Sequence, residues 1–171
     1  CPIPDEVQMH PSWCNVWQDI VFHNKFNIKE LYLPGPNLSG VDVYGDSIDS
    51  KEVYSKNRYT ILWDFSAELA LITAFEWNLY ELQEIYEKYK DKNIEILYSG
   101  SEWNSEEQVR DFKESNDVSF RCFTTNPNAT NRLSINGDRQ TSFLKYYLNS
   151  DTLLCNHVML VDSTGKTVFI S

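Results

Sequence analysis

The residues of this chain with chemistry of their own are four cysteines: Cys1, Cys14, Cys122 and Cys155. A dithiol that exchanges disulfides is ordinarily written Cys-x-x-Cys, and none of the four is spaced that way. No Cys/His grouping has zinc-finger spacing, and His10, His23 and His157 are scattered, so neither a metal nor a cofactor is expected. Four cysteines allow up to two disulfides in any of three connectivities. The local reading pairs Cys1 with Cys14, stapling a Pro-rich arm, and Cys122 with Cys155, joining two core elements. Asn37-Leu38-Ser39 and Asn128-Ala129-Thr130 are N-x-Ser/Thr triplets in turn-like sequence, which makes Asn37 and Asn128 glycosylation candidates in a eukaryotic secretory setting.

The cysteines also speak to compartment. The chain opens on Cys1-Pro2-Ile3-Pro4, with no initiator Met and no signal-peptide pattern. Cys1 then reads as the lipid-bearing first residue of a bacterial lipoprotein or as a disulfide cysteine of a secreted fragment. Both place the protein outside the reducing cytosol, against the alternative of four free thiols in a cytosolic one.

These residues sit on a chain of 171 residues, 42% hydrophobic and 14% aromatic, enough for one domain with a buried core. No apolar run is long enough to span a membrane. The net charge of −10, with no Lys/Arg cluster, disfavours nucleic acid as a partner.

Prolines at 2, 4, 11, 34 and 36 make residues 1–35 an irregular arm, with Val16–Phe22 a short helix or strand and a strand-like stretch from Ile28 to Leu33. Residues 40–58 are polar and turn-rich, with Val41 and Val43 alternating as a short strand. Tyr59-Thr60-Ile61-Leu62-Trp63-Asp64-Phe65 has the β-branched and aromatic content of a buried strand. Ser66 then offers a helix N-cap and Glu68 an anion in the first turn. Ser66 lacks the flanking glycines of a nucleophile elbow, so the cap role suffices. Leu71, Phe75, Leu79, Leu82, Ile85, Tyr86 and Tyr89 recur at helical steps on one face. Ile94–Tyr98 is a second strand, and Ser105 to Gln108 a capping box that turns Val109 and Phe112 inward. Val118–Phe123 alternates as a third strand, an Asn-rich loop runs to about 140, and Phe143–Leu148 is helical. His157–Asp162 and Thr167–Ile170 flank the turn Ser163-Thr164-Gly165-Lys166 as a β-hairpin. Alternating strands and helices imply an α/β fold with a parallel core sheet, to which the hairpin adds antiparallel strands.

Three stretches together resemble the thioredoxin-like superfamily, in particular its TlpA/AhpC-type extracytoplasmic domains. Tyr59–Phe65 looks like the strand leading to that family's active site, Glu81–Ile96 like the end of its first helix and the next strand, and Met159–Val168 like its closing hairpin. The resemblance implies a three-layer sandwich with a mixed central sheet over residues 36–171, with residues 1–35 as the appended arm. It also implies where the family's two active-site cysteines would stand. Counting forward from the strand gives Leu69 and Ile72; counting back from the helix gives Ile72 and Phe75. The two counts are offset, so an insertion lies in this turn or helix. In neither register is there a cysteine, and the matching stretch before the penultimate strand, Leu154-Cys155-Asn156-His157, has no proline where the family has a cis-proline.

The expectation is therefore a redox-inactive extracytoplasmic thioredoxin-like domain that acts as a binding or structural module of a larger protein or lipoprotein. Its partner is a protein or small molecule that the sequence does not name. The alternative is a divergent thiol-disulfide oxidoreductase using Cys122 and Cys155, with His157 tuning the thiol. Trp13 and Trp17 on the arm are expected to dock rather than stay exposed. The family usually ends in a helix that this chain does not reach, which favours a module of a longer protein.

Overall fold

The computed structural model describes residues 34–64, 73–100, 104–137 and 157–170, all within the unit Leu33–Ser171. The strand-like stretch from Ile28, the cap at Ser66 and the helix at Phe143–Leu148 lie outside the described residues.

A five-stranded mixed sheet organises the chain. Its strands are β3 (Tyr59–Asp64), β4 (Ile94–Ser99), β5 (Arg121–Phe123), β7 (His157–Asp162) and β8 (Thr167–Ile170), in the order β5-β4-β3-β7-β8. β3, β4 and β5 run parallel, while β7 pairs antiparallel with β3 and β8 antiparallel with β7, as the sequence pattern implied. A second sheet has the order β2-β1-β6, from β1 (Leu38–Val41), β2 (Ser47–Asp49) and β6 (Leu133–Ile135). The helices are α1 (Ser50–Lys56), α2 (Thr73–Tyr89) and α3 (Glu106–Ser115).

The large sheet is covered on both faces. On one, Leu62, Leu97, Phe123 and Val161 form a buried cluster with Leu38, Leu133 and Ile135 of the small sheet and with Val53 and Tyr54 of α1. The other face is aromatic. Trp63 and Tyr98 pack tilted, with ring centroids 4.8 Å apart, the Phe112 ring of α3 lies 4.9 Å from that of Tyr98, and Tyr86 of α2 meets Phe120 edge-on. Each such pair adds about 0.5–1.5 kcal/mol beyond its buried area. Helices, mixed sheet, and small sheet with α1 make the three layers.

α2 follows from its apolar stripe: Leu79, Leu82 and Tyr89 are buried, while Glu84, Glu87 and Lys88 face water. In α3 the Ser105 hydroxyl accepts from the Gln108 backbone N–H and the Gln108 side-chain Oε1 accepts from the Ser105 backbone N–H, the capping box that the sequence announced. Gly100 lets α3 close on the end of β4, because a Cβ there would lie 2.3 Å from Val109 Cγ2.

Three expectations need correction. Residues 40–58 are not a turn-rich stretch with one strand over Val41 and Val43. They hold most of a β-hairpin and a helix, and Val43 sits in the hairpin loop. α1 escapes periodicity because only Ser50, Val53 and Tyr54 are buried; its sign is the Asp49 cap, whose carboxylate accepts from the Lys51 and Glu52 amides. The strand expected from Val118 begins only at Arg121, because Lys113 Nζ donates to the carbonyls of Val118 and Phe120 and so supplies partners that a ladder would otherwise provide. The Asn-rich loop contains β6, three residues whose alternation is too short to stand out.

The hairpin loop is held from β5. The Asp42 carboxylate accepts from the Tyr44 and Asp46 amides and pairs with Arg121 Nε at 3.5 Å. Arg121 also donates to the carbonyls of Asp46 and Ser47, and the Val43 amide donates to the Cys122 carbonyl at 3.1 Å.

Candidate functional site

In parallel α/β sheets ligands gather beyond the carboxyl ends of the strands. Here that edge is one transverse row. Asp64 ends β3, is in register with Ser99 on β4 and with His157 on β7, and Ser99 is in register with Phe123 on β5. The row thus reads His157, Asp64, Ser99, Phe123.

The types in it include those of a hydrolytic triad, but the arrangement is not one. Ser99 is fully buried and faces the same side as Leu97 and Phe123, where no substrate reaches it. Asp64 lies between the other two, which puts the backbones of Ser99 and His157 about 10 Å apart. A nucleophile must be accessible and within hydrogen-bond reach of its base. After β5 and before α3 the chain is polar: Asn104, Thr124 and Thr125 are buried, and the Thr124 hydroxyl donates to the Asn104 carbonyl at 2.6 Å. That bond ties the segment leading into α3 to the end of β5.

Of the residues singled out in the sequence, Ser66, Glu68, Leu69 and Ile72 lie outside the described residues, as do Cys1, Cys14 and Cys155. Phe75 falls within α2. His157 is the first residue of β7 and is brought beside Asp64.

Cys122 is on β5, in register with Tyr98, 1% exposed and a free thiol. Its Sγ–H points to the Phe120 carbonyl at 3.7 Å. Burial pushes the thiol up to about 12, Lys113 working against that rise and Asp42 with it. The thiolate is the nucleophile in exchange, so a thiol held protonated in the core is chemically quiet. The sequence offered Cys122 as a half-cystine or as a reactive thiol; in the structure it is neither bonded nor accessible.

Asn128 is exposed in a turn stabilised by the Asn126 side chain, which accepts from the Asn128 amide. Asn37 is exposed too, but its side-chain oxygen accepts from Ser50 Oγ and its backbone is bonded to Asn136. Among the described residues no group of three or more His, Cys, Asp or Glu is arranged to hold a metal, and no helix is long and apolar enough to cross a membrane.

No family model matches the sequence, and no curated protein does. Solved structures do match the fold. The thioredoxin domain of a thiol-disulfide oxidoreductase from Bacteroides vulgatus aligns with a TM-score of 0.61 at 19% identity, over 82% of this chain and 87% of that one. A thiol:disulfide interchange protein from Bacteroides sp. aligns at 0.56 and 21% identity, over 81% and 78%. A thioredoxin family thiol:disulfide interchange protein from Chlorobium tepidum aligns at 0.58 and 13% identity, over 81% and 83%. These likenesses show a thioredoxin-like fold.

Proposed function

We propose that this chain is a thioredoxin-like domain that binds a partner or serves as a structural part of a larger extracytoplasmic protein or lipoprotein, without disulfide-exchange chemistry of its own. The observation that carries this reading is Cys122. It is the one cysteine among the described residues, and it is a buried thiol raised to about 12, far from the lowered thiol that exchange requires. The sequence adds that none of its cysteines is spaced Cys-x-x-Cys. A second reading, a thiol-disulfide oxidoreductase using Cys122 and Cys155, is favoured by what the structural neighbours are called. Insulin reduction by the purified chain, with Cys155→Ser as control, separates the two. The expected result is no turbidity above a buffer blank. Activity in the wild type that vanishes in Cys155→Ser overturns the first reading.

A further inference from the structure

Asn136 is the one asparagine of this chain that a glycine follows. Gly137 has no Cβ, so its backbone nitrogen meets the least steric resistance to attack on the preceding side-chain amide. Asn136 and Gly137 leave β6 with φ of 52° and 68°, the positive values that a type I′ turn takes at its two central residues. Gly137 is exposed, a Cβ there would meet nothing within 4 Å, and its amide donates no hydrogen bond among the described residues. That nitrogen is open to solvent base. The electrophile is held as well. The Asn136 amide extends the β1–β6 pairing by donating to the Asn37 carbonyl at 2.7 Å, but the return bond goes to its side chain: the Asn37 N–H donates to Asn136 Oδ1 at 2.9 Å. A donor at that distance polarises the side-chain carbonyl and faces the oxygen on which negative charge develops when its carbon is attacked. Other asparagines lack one part or the other. Asn104 is buried, and the Ser105 amide after it is bonded to Gln108 Oε1. The Asp117 amide after Asn116 donates to the Glu114 carbonyl, and Asn126 precedes a proline, which has no N–H.

We propose that Asn136 is a self-modifying site: in the folded chain it loses its side-chain amide through a cyclic imide, with the Asn37 N–H as donor to the oxyanion. This goes beyond the binding-module reading and does not depend on it. The Gly137 nitrogen gives its proton to solvent base and attacks Asn136 Cγ. The carbonyl electron pair moves to Oδ1, against the Asn37 N–H, and returns as the Cγ–Nδ2 bond breaks; the nitrogen takes a proton from water and leaves as ammonia. Water then opens the imide at either carbonyl, which leaves aspartate or isoaspartate. Nothing is oxidised or reduced. Aspartate keeps an acceptor for the Asn37 amide and adds one negative charge to the chain's −10. Isoaspartate inserts a methylene into the main chain where the β1–β6 pairing ends, and so loosens that end of the small sheet.

The test ages the full chain at mildly alkaline pH, once folded and once in guanidinium chloride, and follows each asparagine peptide by mass spectrometry, with isoaspartate read by enzymatic methylation. Both aspartate and isoaspartate are expected to accumulate at Asn136, at a folded rate equal to or above the denatured one. Asn104 and Asn116 are expected to convert more slowly folded than denatured. The folded rate at Asn136 rises with pH, as loss of the amide proton demands. A folded rate at Asn136 below the denatured rate, aspartate with no isoaspartate, or conversion of Asn104 ahead of Asn136 in the folded chain overturns the inference. The wild-type chain decides alone, so no variant has to fold.

Discussion

Asp64 stands directly opposite His157 where β3 pairs antiparallel with β7. The same strand pairs along its whole length with β4, so β3 is hydrogen-bonded on both sides and covered on both faces. Segments so enclosed open last. The amides of Leu62 and Trp63 are expected to exchange with deuterium only through global unfolding, at the slowest rates in the chain. Exchange by NMR checks this, and faster loss at Trp63 than in the α1 helix would contradict the central position of β3.

Gly100→Ala is expected to destabilise the fold by about 1–3 kcal/mol, since the added methyl overlaps Val109 where α3 meets β4. Combining it with Val109→Ala makes room, so the double variant should lose less than the two single losses added together. Denaturant midpoints of the four proteins close the cycle.

Thr60 is fully buried on β3 and its hydroxyl has no hydrogen-bond partner. Thr60→Val removes the stranded polar group at nearly constant shape, so stability is expected to hold or to rise by up to about 1 kcal/mol. A loss above that figure in urea melts would show that the hydroxyl is satisfied in solution.

Ser105→Ala removes one half of the capping box on α3, the hydroxyl that accepts from the Gln108 amide, and should cost about 1 kcal/mol. Ser105→Asp keeps an acceptor at the cap and should recover most of it, measured by the same melts.

Burial raises the Glu95 carboxyl above the ordinary Glu value, opposed by the Ile96 amide and by Arg121 and Lys113. The folded state therefore holds this proton more tightly than the unfolded chain. Stability is lost as pH climbs from the ordinary Glu range through the raised folded value, and the penalty is absent in acid below both. Glu95→Gln is expected to raise the melting temperature at neutral pH and to change little in acid. The gain seen equally at both pH values would refute the titration.

The elements with long apolar patterns are legible in the amino-acid sequence alone. The stripe from Leu79 to Tyr89, the Ser105 box and the closing hairpin each carry enough residues to set a period or a cap. β2, α1 and β6 are not legible in that way, since an element that buries one to three side chains leaves no period to count. The site divides the same way. The absence of Cys-x-x-Cys can be counted along the chain, and it directs attention to Cys122 and His157. The adjacency of Asp64 to His157, and the distance from Cys122 to the start of β7, depend on register and strand order between segments remote in sequence. Spacing along the chain does not encode either.

The Arg121 hold on the 42–47 loop has a consequence for the molecule among its neighbours. β5 would otherwise end the sheet with a bare row of amides and carbonyls, a template on which another chain's strand could grow. The loop already takes the Cys122 carbonyl, and the guanidinium beside it puts a fixed charge at the rim. Losing Arg121 would thus open that side to self-association, besides leaving the buried Asp42 carboxylate without its cation.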